Sequence, residues 1–369
     1  MAKHVLGWEA ASRFVTRAFE SAGVPEADAR ICADVLLESD RRGIESHGIN
    51  RFKPIYLDRI EQGIQNPVTN FEVLRETHTT AVVDGHDGMG QVIGVLAMGI
   101  AIEKAAKYGM GMVAVRNSCH YGIAGYYTSM AIDAGMIGMT GTNARPSIAP
   151  TFGVDNMLGT NPFTVGFPTD EEFPFNFDCA TSITQRGKIE YFARSGQPTP
   201  EGMVIGRDGK PMTDSAHILK ALTEGGAALA PLGGIGEDLA GYKGYGFATI
   251  VEVLSSALAQ GRFLGALSGI GGDGQRRPYG LGHYFIAIDT EAFMGLESFK
   301  KTAGDIMREL RASAKAPGQE RIYTAGEKEW IARQQRKDSG VPVNEGVQRE
   351  FVQIRDRYGL KEFRFPWEN

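Results

Sequence analysis

Ala81-Val82-Val83-Asp84-Gly85, an alanine-rich run from Val92 to Tyr108, and Gly111-Met112-Val113-Ala114-Val115 together decide the fold class. Two short β-rich runs flank a breaker-poor segment of helical length, which predicts strand, helix, strand. Downstream the alternation continues: a helix over Ala124 to Ala134, and strands over Met136 to Thr140, Phe163 to Phe167, Phe175 to Asp178 and His283 to Asp289. Such interleaving implies an α/β chain built on a mixed sheet.

Upstream, Ile31, Val35 and Cys32, Leu36 keep helical spacing after Pro25, a residue tolerated in a first helical turn. A second periodic stretch carries Ile49, Phe52, Tyr56 and Ile60 on one side, with His47 and Arg51 four residues apart at its start. Phe247 to about Ala259 is apolar nearly all round and is expected to lie buried at the centre. Leu296 to about Ala314 reads as an amphipathic helix. The charge-rich tail from Arg321 is expected to be helical and to pack on the N-terminal lobe or on another subunit. At 369 residues and 42% hydrophobic, the chain is expected to divide in two. The first part is a helical domain of residues 1–75 plus about 315–369, and the second a mixed-sheet domain of 76–314.

A net charge of -5 leaves no basic surface for a run of phosphates, so nucleic acid is not the expected partner. Cys32, Cys119 and Cys179 are odd in number and far apart, which argues for free thiols in a reducing, cytoplasmic setting. The first residues lack the apolar core of a signal peptide, and no stretch reaches the roughly 20 apolar residues that cross a bilayer. No membrane partner is expected.

Two histidines stand among polar and glycine neighbours: Glu45-Ser46-His47-Gly48-Ile49-Asn50-Arg51 and Asn117-Ser118-Cys119-His120-Tyr121-Gly122. Imidazole exchanges protons near neutrality, so both are candidates for acid–base chemistry. In a helix, His47 and Arg51 share a face, where the guanidinium would grip a carboxylate and the imidazole would take the proton of an adjacent hydroxyl. That arrangement suits a 2-hydroxy acid. The plainer alternative is an Arg51 surface ion pair and a His47 that caps a helix. His120 is placed at a strand-to-helix turn, where sheets of this kind bind ligands. Arg145 falls in a charge-poor segment that reads as buried, so it calls for an anion from the substrate, the cofactor or a remote carboxylate. Asp178-Cys179-Ala180-Thr181-Ser182 ends a strand with groups able to hold ribose or phosphate, and Asp178 is a candidate to orient a histidine. Gly88-Met89-Gly90-Gln91-Val92-Ile93-Gly94 does not match GxGxxG, and Walker A and HExxH motifs are absent. His78 and His86 have no ligand cluster, so no metal is expected.

Arg42-Gly43-Ile44-Glu45-Ser46-His47-Gly48, Asn117 to Tyr127, Leu158-Gly159-Thr160-Asn161-Pro162 and Asp178 to Ser182 resemble the malate/L-lactate dehydrogenase family. That family is distinct from the Rossmann-type enzymes. The resemblance extends through Pro231 to Gly234, Tyr242 to Gly246 and Ala325 to Lys328, and the insertion Ile235 to Gly241 is similar to the archaeal-type malate dehydrogenase branch. It implies a non-Rossmann mixed-sheet NAD(P)-binding domain of the L-sulfolactate dehydrogenase kind, beside a helical domain formed by both chain ends. It further implies NAD or NADP on Asn143, Gly159, Thr160, Asn161, Asp178, Ala180, Thr181, Ser182, Lys243, Gly326 and Glu327. A homodimer with sites near the subunit interface is implied too, as is a 2-hydroxy or 2-oxo acid substrate, malate by preference. Ser46, Arg51 and Arg145 are the expected substrate contacts, with His47 the preferred acid–base and His120 polarising a second oxygen. The alternatives are other family substrates (lactate, sulfolactate, ureidoglycolate or a cyclic imine) and a nucleotide-binding regulator without turnover.

Overall fold

The structure is a computed structural model and describes residues 4–368. The chain begins with β1 (His4–Leu6), α1 (Trp8–Ser21), α2 (Glu26–Arg41) and α3 (Asp58–Glu61). It continues through β2 (Glu72–Glu76), β3 (Thr80–Asp84), α4 (Gly90–Tyr108), β4 (Met110–Ser118), α5 (Gly125–Asp133), β5 (Met136–Thr142), β6 (Phe163–Phe167) and β7 (Phe175–Cys179). A second run holds α6 (Arg186–Arg194), β8 (Val204–Gly206), α7 (Ser215–Glu224), β9 (Ala227–Leu229) and α8 (Gly241–Ser256). The chain closes with β10 (Leu281–Asp289), α9 (Leu296–Ala312), α10 (Glu327–Arg336), β11 (Val341–Val343) and α11 (Glu345–Arg357).

Seven strands form one sheet in the order β2-β3-β4-β10-β5-β6-β7. Only β3 and β4 run parallel, joined by α4 as the sequence predicts; every other neighbouring pair is antiparallel. This is a mixed sheet and not the parallel sheet of a Rossmann fold. α4 is buried along much of its length and stops at Gly109, whose φ of 84° lets the backbone turn sharply into β4.

Leu36, Phe14 and Phe52 share a core with Val341, Phe351 and Phe365, so the tail packs back on the N-terminal lobe. Phe14 meets Phe351 at 4.8 Å between ring centroids. Arg42 ties this lobe to the sheet: its Nη1 donates to the Gly125 carbonyl at 3.0 Å and its Nη2 to Ser129 Oγ at 3.1 Å. Sheet pairing begins at Glu72, inside the stretch assigned from sequence to the helical lobe. The sequence reading also did not foresee a separate small core, with Ile148, Ile189, Val204 and Ile218 around the β8–β9 ribbon.

α8 departs from expectation. Its Ala248 and Val251 are buried, but Tyr242, Phe247, Ile250 and Val253 are exposed, so the apolar circumference covers a sheet on one side only.

Candidate active site at the sheet edge

Strand pairing brings the candidate residues to one edge. Ser118 at the end of β4 pairs with Leu281, and Thr142 at the end of β5 pairs with His283. Gly141 pairs with Phe163, and Phe163 with Cys179. His120, Asn143, Asn161 and the Asp178–Ser182 segment therefore follow in order along one rim. Four strand spacings separate the outer two, about 19 Å at ~4.8 Å each, which is room for an extended ligand.

At the β4 end, His47 and His120 come together with ring centroids 5.7 Å apart and planes inclined by 19°. Both are half-buried, so neither ring is sealed in the core. Tyr56 Oη lies 2.6 Å from His120 Nδ1, and the Gly122 backbone N–H donates to the same nitrogen at 3.3 Å. Burial raises the Tyr56 phenol far above its ordinary range, so it remains a donor. With Nδ1 accepting, the neutral His120 carries its proton on Nε2. Burial, then the charges of His47, Arg59 and Arg51, hold His120 well below an ordinary imidazole. Burial, then Arg51, brings His47 down to about 4. Both rings are neutral at pH 7.

Arg51 and His47 do not share a face of one regular helix. His47 lies in a turn, followed by a 3₁₀ turn over Ile49–Arg51 and a π turn over Phe52–Leu57. Arg51 Nε donates to the Ser46 carbonyl at 2.6 Å, and Ser46 Oγ sits 2.9 Å from His47 Nδ1. The plainer alternative does not occur: His47 caps no helix, and Arg51 has no ion pair among the described residues. The turn is anchored by Asp40, whose Oδ2 accepts the Ile49 N–H at 2.9 Å and against which Gly48 packs too closely to admit a Cβ. Burial pushes the Asp40 carboxyl up to about 8.

Two expectations are corrected, the burial of Arg145 and the histidine partner of Asp178. Arg145 is exposed, not buried as its charge-poor segment suggested, and it has no ion pair among the described residues. Asp178 orients no histidine: Oδ2 accepts the Gly125 N–H at 2.7 Å and Oδ1 the Thr164 hydroxyl at 3.1 Å. Asp178 is exposed and borders a cavity, and the protein packed around its carboxyl raises its pKa above the usual range. Three side chains expected on the cofactor have hydrogen-bond partners within the fold. Asn143 accepts from Gly282 N and donates to the Arg262 carbonyl, at 2.8 and 3.2 Å. Asn161 donates to the Ala248 carbonyl and Glu252, at 3.0 and 2.8 Å. Glu327, fully buried, pairs with Arg321 and accepts the Thr324 N–H. Buried polar groups must be satisfied, and these are satisfied internally.

The remaining rim residues fit a dinucleotide. A cavity of about 380 Å³ is bordered by Arg42, Gly125, Asn176, Asp178 and Gly326. Gly326 has φ of 91°, and a Cβ there would meet the Pro174 carbonyl and the Asn176 amide, so backbone forms this wall. Further along, Thr181 donates to the Asn161 carbonyl at 3.0 Å, while the buried Ser182 hydroxyl has no partner. Gly159 and Thr160 close the strand start beside them, and Lys243 stands exposed at the beginning of α8.

Sequence reasoning missed Tyr56, Asp40 and His283. Tyr56 was hidden in an apolar stripe. Asp40 carried a signal: it continues the buried Cys32, Leu36 spacing of α2, where an acid is out of place. His283 lies inside β10, stacked on Tyr121 at 4.5 Å and bonded through Nδ1 to Thr142 Oγ1 at 2.7 Å.

A mixed sheet with two paired histidines and an unpaired arginine at its rim is an arrangement suited to proton transfer on an anionic substrate. Residues 6–352 match the malate/L-lactate dehydrogenase family, and the chain belongs to it. It is 43% identical over 348 residues to malate dehydrogenase of Pyrococcus abyssi, covering 94% of this chain and 93% of that protein. It is 39% identical over 338 residues to L-sulfolactate dehydrogenase of Methanocaldococcus jannaschii, covering 92% of each. A solved malate dehydrogenase from Entamoeba histolytica superposes with a TM-score of 0.92 at 42% identity, covering 99% of this chain and all of that one. The protein is accordingly a hydroxy-acid dehydrogenase that uses a nicotinamide cofactor.

Proposed function

We propose that the enzyme interconverts (S)-malate and oxaloacetate with NAD or NADP. The observation that carries this reading is the pairing of His47 with His120 beside Arg51, a guanidinium with no carboxylate of its own. Arg51 offers its fork to the carboxylate next to the reacting carbon. His47 holds the proton of the substrate hydroxyl. Burial is the larger cause of the His47 depression, and an anion on Arg51 offsets the smaller, coulombic one, so docking raises the basicity of the ring. His120, kept in its Nε2–H form by Tyr56 and Gly122, donates a hydrogen bond to the reacting oxygen. The nicotinamide supplies or accepts the hydride. Thr160, Ala180 to Ser182, Lys243 and the walls formed by Gly125, Asp178 and Gly326 would hold the dinucleotide.

The exposed apolar face of α8, with Phe247, Ile250 and Val253, supports a homodimer that buries it. Three free cysteines support a reducing, cytoplasmic location. No helix among the described residues is long and apolar enough to cross a membrane.

Screening NADH and NADPH oxidation against oxaloacetate, pyruvate, sulfopyruvate and a cyclic imine tests substrate and coenzyme together. His47→Ala should lower kcat by roughly a hundred-fold, with NADH affinity by fluorescence titration retained. Near-full turnover in His47→Ala with loss in His120→Ala would exchange the two roles.

A further inference from the structure

Arg59 is the feature that the proton chemistry leaves unexplained. It is half-buried in α3, and among the described residues it has no carboxylate partner. Its acidic neighbours are committed elsewhere: Asp58 pairs with Lys53 and Arg357, at 3.0 and 2.9 Å, and Glu61 with Arg357 at 3.1 Å. The guanidinium is held 4.5 Å from the centre of the Tyr279 ring, a contact that fixes its plane without neutralising it. A half-buried, positioned arginine without a carboxylate partner is free to receive an anion.

Its placement follows from the local winding. Two turns of α-helix repeat after about seven residues. The π turn over Phe52–Leu57 widens the spiral and lengthens that repeat. Arg51 and Arg59, eight residues apart, are thereby brought closer in phase around the spiral, and Tyr56 between them reaches His120. The charge of Arg59 bears on Tyr56, Cys119 and His120, and that of Arg51 on Tyr56, His47 and His120. The leading charges on His120 are all cationic or histidine. The charges of both guanidiniums thus reach the histidine pair, while one carboxylate satisfies only one.

We propose that Arg59 receives a second anionic group of the substrate, so that the site selects a 2-hydroxy acid with a distal carboxylate or sulfonate over a monocarboxylate. This rests on the dehydrogenase reading above and extends it from reaction to specificity. Carboxylate and sulfonate present the same oxygen edge to a guanidinium, so the chemistry is shared and the substrates must separate them.

The test is steady-state kcat/KM for oxaloacetate, sulfopyruvate and pyruvate with wild type, Arg59→Gln and Arg59→Lys. Arg59→Gln should reduce the oxaloacetate-to-pyruvate ratio by about 30-fold, the worth of one charge-assisted pair, mainly through KM. Arg59→Lys, which keeps the charge and loses the fork, should reduce it by several-fold and carries the test if the glutamine variant is unstable. Whichever of oxaloacetate and sulfopyruvate loses more names the distal group. An unchanged ratio, or equal losses on pyruvate and oxaloacetate, would overturn the assignment and leave Arg59 as a support for Tyr279. Failure of the wild type to reduce any of the three would instead remove the underlying function.

Discussion

Replacing His283 by phenylalanine should make the protein less sensitive to acid. His283 is fully buried, and burial holds it down to about 3. The unfolded imidazole titrates near 6.5, so the folded state is undiminished above that pH and loses stability as the pH falls toward 3. At pH 5 the unfolded chain gains from about 1.5 pH units of protonation that the folded chain cannot match, ~2 kcal/mol at ~1.4 kcal/mol per unit. Asp40 acts oppositely: its folded value of about 8 lies above the unfolded one, so acidification from pH 8 toward 4 favours the fold. His47, held down to about 4, adds to the acid loss. The wild-type slope therefore mixes several groups, whereas the difference between wild type and His283→Phe isolates one. The ring stack on Tyr121 survives the substitution, and Nε2 has no partner to lose. Only the Thr142 bond goes, about 1 kcal/mol at neutral pH. Urea unfolding followed by far-UV circular dichroism at pH 7.5 and 5.0 should show wild type losing ~2 kcal/mol more than the variant. Equal losses in the two proteins would refute the assignment of a neutral, buried His283.

Arg51→Lys should raise KM for the 2-oxo acid about tenfold or more, since one ammonium cannot reproduce the guanidinium fork; an unchanged KM in steady-state assays would remove Arg51 from the site. Gly90→Ala drives a Cβ into the Cys119 and His120 carbonyl oxygens, so the melting temperature and kcat should fall together. Retained activity in a stable variant would show that the His120 loop is not held by that contact. Ile250→Asp on the exposed face of α8 should shift a dimer toward monomer in sedimentation velocity, with secondary structure preserved.

Much of the architecture was legible because hydrophobic periodicity is local. The strand-helix-strand around α4, the ends of β6 and the span of α9 follow from the spacing of Val, Ala, Phe and Gly. Burial of particular side chains was not legible. Arg145 sits in a charge-poor segment yet lies outside, and α8 is apolar all round yet covers the sheet with one face only. Local composition cannot say which face meets a neighbour distant in sequence. Nor could it show that Asn143, Asn161 and Glu327 are occupied by partners from β10, α8 and the segment before α10.

By itself the sequence determined the elements, the two histidine motifs and the absence of a Rossmann phosphate turn, all properties of contiguous residues. The tertiary structure decided that His47 and His120, 73 positions apart, face each other at 5.7 Å. It also decided that Tyr56 sets the tautomer of one of them, and that Arg59 lies against the Tyr279 ring with no carboxylate partner among the described residues. These depend on strand order and on a widened helical turn, which arise when long-range packing overrides local preference. Proton chemistry and charge selection at this rim are thus written in residue types, but assembled only by the sheet and the lobe that closes on it.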